Sequence, residues 1–111
     1  MDQPWKTATA TGLDGTGELV VSGRIWVKSI ILFDTTASAD THFTVFDSAV
    51  ATGSAAAAGD VVFQARLETP PNQMMFDFDG ARFDDGVHVL STTDSATAGI
   101  CVVYATRALS S

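Results

Sequence analysis

Residues 24–33, RIWVKSIILF, constrain the fold more than any other stretch of this chain. Val, Ile, Phe and Trp suit the pleated, half-buried surface of a β-strand. A period of two puts Ile25, Val27 and Ile31 on one face, and Trp26, Lys28, Ile30 and Leu32 on the other. Both faces are largely apolar, which marks a central strand. A second region, residues 76–104, carries FDGARFDDGVHVL and then GICVVY, broken by Gly, Asp, Ser and Thr. Short apolar runs between such breaks belong to a small antiparallel β domain.

Further strand patterns fall at residues 18–21, 41–46, 60–67, 73–77, 87–90 and 99–105, with a short piece starting at Arg82-Phe83. In 60–67, Val61, Phe63, Ala65 and Leu67 alternate with Val62, Gln64 and Arg66. Pro70-Pro71-Asn72 is a turn, because neither proline can serve in a central ladder. Gly80 breaks a strand, and Asp85-Gly86 signals a hairpin between Phe83 and Val87. Residues 47–59 read as a surface loop, since Gly53 and Gly59 bracket the alanines too closely for a stable helix. The pattern predicts an all-β fold, a single antiparallel β-sandwich of about eight strands, jelly-roll-like, over residues 1–111. Strand order is not fixed by this pattern, so a jelly roll and an immunoglobulin-like sandwich both fit. Residues 1–11 hold only the shallow alternation KTATAT and read as an extended N-terminal arm anchored by Trp5. The expected core is Ile25, Val27, Ile31, Phe43, Val45, Phe63, Phe76, Phe78, Val89 and Val102.

Composition narrows the class of function. Apolar residues make up 46% and charged residues only 17%, against about a quarter in ordinary domains. Such a surface is either covered with Ser, Thr, Gly and Ala or hidden by a partner. A net charge of −7 repels nucleic acid and anionic membrane, so neither is an expected partner. Cys101 is the single cysteine and sits in an apolar run, where it reads as a small buried hydrophobe. The first residues lack a basic segment followed by an apolar one, so no signal peptide is expected and synthesis is expected in a cytosol.

The residues that tempt a chemical reading have structural explanations. Asp77, Asp79, Asp84 and Asp85 are calcium candidates by proximity. Their spacing lacks the EF-hand order, and Phe76-Asp77-Phe78-Asp79 is explained by phenylalanines facing in and aspartates facing out. His42 and His88 oppose their apolar strand neighbours and are expected at solvent or at an interface. Serines are plentiful, but no nucleophile elbow, HExxH or phosphate loop accompanies them. No catalytic residue, cofactor or obligatory metal is therefore expected, and the chain is not read as an enzyme. Trp5 and Trp26 are weighed as sugar-stacking platforms; Trp26 reads as core and Trp5 as an anchor on a neighbouring subunit. Arg82 is expected to pair with Asp79 or Asp84, or with backbone carbonyls at a strand end.

The order VKSIILF, FTVFDS, FDGARFDDGVHV and VVY resembles small β-sandwich capsid cement or decoration proteins of tailed bacteriophages, over about residues 24–104. Gly80, Arg82, Phe83 and Gly86 match its glycine–arginine–phenylalanine turn-and-strand unit. The resemblance implies a virion structural protein on the capsid exterior that binds the major capsid protein, commonly as a homotrimer at three-fold positions. Trp5, Lys6 and Arg82 are the candidate interface residues of that reading. The alternative is a glycan- or host-binding module.

Overall fold

The computed structural model describes residues 4–35, 40–68, 72–92 and 97–108. Its strands are β1 (Lys6–Thr11), β2 (Glu18–Ser22), β3 (Ile25–Asp34), β4 (Thr41–Asp47), β5 (Val61–Leu67), β6 (Asn72–Phe83), β7 (Gly86–Ser91) and β8 (Ala98–Ala105). A 3₁₀ turn, Ala58–Asp60, precedes β5, where the sequence reading has only loop. The strands form two antiparallel four-stranded sheets, β1-β8-β3-β6 and β2-β7-β4-β5. Among consecutive strands only β4 and β5 share a sheet; every other connection crosses the sandwich. That is jelly-roll order, and it settles the topology against the immunoglobulin-like alternative.

The expected Asp85-Gly86 hairpin does not form, because β6 and β7 lie in different sheets. Asp84 and Asp85 carry the chain across instead. Gly86 enters β7 at φ +138°, and a Cβ there would overlap the Val21 carbonyl oxygen. The expected break at Gly80 is also absent. β6 runs through it, with Asp79 and Gly80 at positive φ (50° and 83°) taking up extra chain opposite Lys28. This is a bulge rather than a strand end.

The same place resets β3. Val27 pairs with Tyr104 of β8, yet Ser29 pairs with the adjacent Val103, so Lys28 is an extra residue. An unpaired residue in a two-residue period reverses which side chains face inward. Ile25 and Val27 point into the core before the bulge, and Ile30, Leu32 and Asp34 do so after it. The expected core residue Ile31 is therefore half-buried on the outer face, and Ile30 takes its place.

The core joins both sheets: Ile25, Val27, Ile30, Leu32, Phe83, Ile100 and Val102 meet Phe43, Val45, Leu67, Val87 and Val89. Leu13, in the β1–β2 connection, is 1% exposed and plugs one end of the sandwich. Its N–H donates to the Ala98 carbonyl at 3.2 Å, and Asp14 beside it accepts from Ser91 N–H at 2.9 Å. Phe63, Phe76 and Phe78 are half-buried rather than central. They close the flank between the edge strands β5 and β6, with Phe63 4.7 Å from Phe76 and 5.6 Å from Phe78 between ring centroids. Asp34, one residue past the strand read at 24–33, is fully buried and accepts hydrogen bonds from Thr41 Oγ1 and Thr97 Oγ1, each at 2.8 Å. Buried carboxylates persist where such donors satisfy them.

The expected N-terminal arm is corrected in part. Residues 6–11 are the edge strand β1, paired along its length with β8; residues 1–3 lie outside the described set. Ala10 belongs to the core, so deleting residues 1–11 strips an edge of the sheet rather than a free arm.

The phase reversal has a direct test in a matched pair of truncations. Ile30→Ala is expected to lower stability by about 2–5 kcal/mol, and Ile31→Ala by less than about half as much. Chemical denaturation measures both; equal or inverted costs would remove the bulge from the account.

Candidate functional site

The outer face of β1-β8-β3-β6 is built from the side chains that the Lys28 bulge turns away from the core. Register aligns them in rows across the sheet: Thr11, Gly99, Phe33 and Gln73; then Thr9, Cys101, Ile31 and Met75; then Thr7, Val103, Ser29 and Asp77. Ile31, Phe33, Cys101 and Val103 are half-buried, and Met75 is 67% exposed. The Phe33 ring lies over Gly99, where any Cβ would overlap it. The centre of this face is thus apolar and its β1 side is a row of threonines. Cys101, expected to be buried, stands in the middle of it and forms no disulfide.

Trp26 is also not core: it is half-buried on the side of β3 opposite Ile25 and Val27, between Ala105 and Arg82. Trp5 packs on its own chain, with Lys28 Nζ 5.4 Å from the ring centroid, a cation–π contact. Of the expected interface residues, Lys6 opens β1 and Arg82 lies near the end of β6, so they occupy opposite edges of one sheet with β8 and β3 between them. Arg82 pairs as the sequence suggests, with its Nε 2.9 Å from Asp84 Oδ1.

The four calcium candidates are not assembled into one site. Asp77 Oδ1 accepts from the Asp79 N–H at 2.9 Å and shapes the bulge. Asp84 faces Arg82, and Arg24 Nε stands 4.0 Å away. Among the described residues no group of three His, Cys, Asp or Glu side chains is placed to hold a metal ion. The carboxylate that organises this corner is Asp47, at the end of β4. It accepts the backbone N–H groups of Asp84 (3.0 Å), Asp85 (2.8 Å) and Gly86 (3.2 Å). Successive N–H groups converging on one anion form a nest, and here the anion is the protein's own.

The two histidines part company. His88 opposes Val87 and Val89 as expected, but it is fully buried, because residues 48–60 fold over the outside of β2-β7-β4-β5. The covering chain is held by Gly53 N–H to Gly17 O (3.0 Å) and Leu19 N–H to Thr52 Oγ1 (3.0 Å). A carbonyl only accepts, so His88 Nδ1 carries the proton that bonds Val50 O at 2.9 Å. Its Nε2 is buried without a hydrogen-bond partner, against Gly17, and Phe46 meets the ring edge-on at 5.7 Å. His42 is exposed as expected.

His42 lines a shallow groove of about 320 Å³ with Phe43, Thr44, Gln64, Ala65, Arg66 and Thr92. Gln64 Nε2 donates to Thr44 Oγ1 at 3.4 Å. A hydrogen bond and charge from Glu68, then the charge of Asp40, hold the Arg66 guanidinium still more firmly protonated than usual. The groove mixes polar and apolar lining, Trp26 lies in the other sheet, and Trp5 stands just ahead of β1. Comparison of the chain with protein-family models, with curated proteins and with solved structures finds no match, and nothing in them links it to capsid decoration proteins.

Asp47→Ala frees three N–H groups at once and is expected to cost about 1–3 kcal/mol. Added EDTA is expected to leave the melting temperature where it is, because these carboxylates answer to backbone and arginine. Calorimetry reads both, and a Ca²⁺-reversible drop on chelation would assign the corner to a metal.

Proposed function

We propose that this protein is a virion structural protein, a β-sandwich module that binds and stabilises a bacteriophage capsid from outside. The major capsid protein is its partner in this reading, the capsid exterior is its place after synthesis in the host cytoplasm, and self-association as a homotrimer at three-fold positions belongs to the same reading. The observation that carries it is the apolar row Cys101, Ile31 and Met75, set among half-buried Phe33 and Val103 on an uninterrupted sheet face. A sheet face of this composition is suited to lie against another protein. A shell repeats one surface many times, so modest contacts on each copy act together. A chain with few charges and no nucleophile-elbow, HExxH or phosphate-loop motif suits a binding role.

A second reading follows from the groove of His42, Thr44, Gln64 and Arg66, whose hydroxyl, amide and guanidinium groups suit a polar ligand such as a glycan. It ranks second because stacking aromatics are not among the lining side chains that reach solvent there.

Co-sedimentation of the purified chain with emptied capsids of the phage that encodes it tests the first reading. The wild-type chain is expected to pellet with shells, and Ile31→Asp, its fold checked by circular dichroism, is expected to stay in the supernatant. Failure of the wild-type chain to pellet would overturn the capsid reading. A glycan-array signal lost in Arg66→Ala but kept in Ile31→Asp would put the groove in its place.

A further inference from the structure

This acidic chain has six basic side chains, and five of them, Lys6, Arg24, Lys28, Arg82 and Arg107, lie at one end of the β1-β8-β3-β6 sheet. Antiparallel order gathers them there: β1 and β3 start at that end, and β8 and β6 finish at it. Both tryptophans are at the same end. Trp26 stands opposite Ala105 on one side and Arg82 on the other. The β1–β8 register, continued one residue beyond the Lys6–Tyr104 pair, sets Trp5 beside Ala105. Opposed residues of an antiparallel pair share a face, so Trp5, Ala105, Trp26 and Arg82 make one row across the sheet. This row is on the outer face, because the next one, through Val27 and Tyr104, packs on the core. Ala105 turns outward with its row and is still fully buried, as a small side chain is when two indoles flank it. The indoles themselves are half-buried.

Such a row has the form of a stacking platform. Two strand spacings, about 10 Å, separate the tryptophans, a span that two linked rings of a ligand can cover. The indole face is electron-rich, and the Lys28 ammonium uses it, reaching across β8 to stand 5.4 Å from the Trp5 centroid. Charge is divided along the row. At the β6 side, Asp84 pairs with Arg82 and approaches Arg24, and Asp77 and Asp79 flank the bulge. At the Trp5 side the cations stand unopposed. Residues 4–11 and 97–108 contain no Asp or Glu, and among the described residues Lys6, Lys28 and Arg107 form no salt bridge.

We propose that this end of the sheet binds an acidic oligosaccharide, its sugar rings stacked on Trp26 and Trp5 and its acidic group held by Lys28, Lys6 and Arg107. The C–H face of a pyranose suits an indole, and a carboxylate or sulfate suits a cluster of ammonium and guanidinium groups. Charge separates this ligand from the other class that stacks on aromatics beside cations, single-stranded nucleic acid. A chain of net charge −7 repels a polyanion along its length. A single acidic group within a Debye length of three cations, about 8 Å, feels chiefly those. The groove of His42 and Arg66 belongs to the other sheet, so this is a separate site, and it does not rest on capsid attachment.

A glycan array carrying sialylated, uronate and sulfated oligosaccharides beside their neutral parents tests this with the full chain. Acidic members are expected to bind, and their neutral parents to bind about tenfold more weakly or less. Trp5→Ala and Lys28→Gln, their folds checked by circular dichroism, are each expected to weaken the best acidic member by about tenfold. Binding to no acidic member, or equal binding to the neutral parents, would overturn the proposal, whether or not the chain pellets with shells. So would tighter binding of a short oligothymidylate, which assigns the platform to nucleic acid. A signal kept in Trp5→Ala and lost in Arg66→Ala would overturn it too, by moving the sugar to the groove.

Discussion

The β3 bulge at Lys28 decides which side chains the two sheets enclose and which they leave outside. Before it, Ile25 and Val27 face the core; after it, Ile30, Leu32 and Asp34 do. β3 is the inner strand between β8 and β6, so both neighbours are referenced to it. Without the extra residue, Ile31 and Phe33 would turn inward and Ile30 and Leu32 would face water. The bulge on β6 at Asp79 and Gly80 is its counterpart, taking up the chain that Lys28 displaces. The local cost of a bulge is offset by two coherent faces, one that closes the core and one that remains apolar at the surface.

A second constraint acts where the chain changes sheets. In this topology nearly every connection crosses the sandwich, so corners carry the backbone groups that ladders leave unpaired. Asp47 meets three of them at the β6–β7 corner, and Asp34 ties the end of β3 to Thr41 and Thr97. The three Asp47 bonds and the Asp34–Thr97 bond join residues remote in sequence, where no local spacing signals them; only Thr41 is near its partner. At these two corners the carboxylates serve the fold, by accepting backbone N–H and hydroxyl donors.

The strands themselves were legible, because β-branched and aromatic runs between Gly, Asp and Ser breaks report half-buried pleated surface directly. Phe43, Val45, Val89 and Val102 follow from alternation alone, and all are buried. Alternation fails where a residue drops out of the ladder, which is why Ile31 and Ile30 exchange places. It also cannot see a cover supplied by remote chain, and so His88 reads as exposed while residues 48–60 bury it. The Asp85-Gly86 signal fits a two-residue hairpin and equally a corner between sheets, and only tertiary pairing separates them. The shallow alternation of residues 6–11 reads as an arm, because the edge pairing that makes it strand β1 depends on β8 at the far end of the sequence. The candidate surface inherits these limits, since it is defined by what the bulge turns outward.

Methyl NMR with a soluble paramagnetic agent tests the phase of β3 most directly. The chain has four isoleucines, Ile25, Ile30, Ile31 and Ile100. At low protein concentration the Ile31 methyl is expected to relax strongly with the agent, while those of Ile25, Ile30 and Ile100 stay protected. A protected Ile31 beside an accessible Ile30 would contradict the bulge, the core it encloses and the outer face it creates.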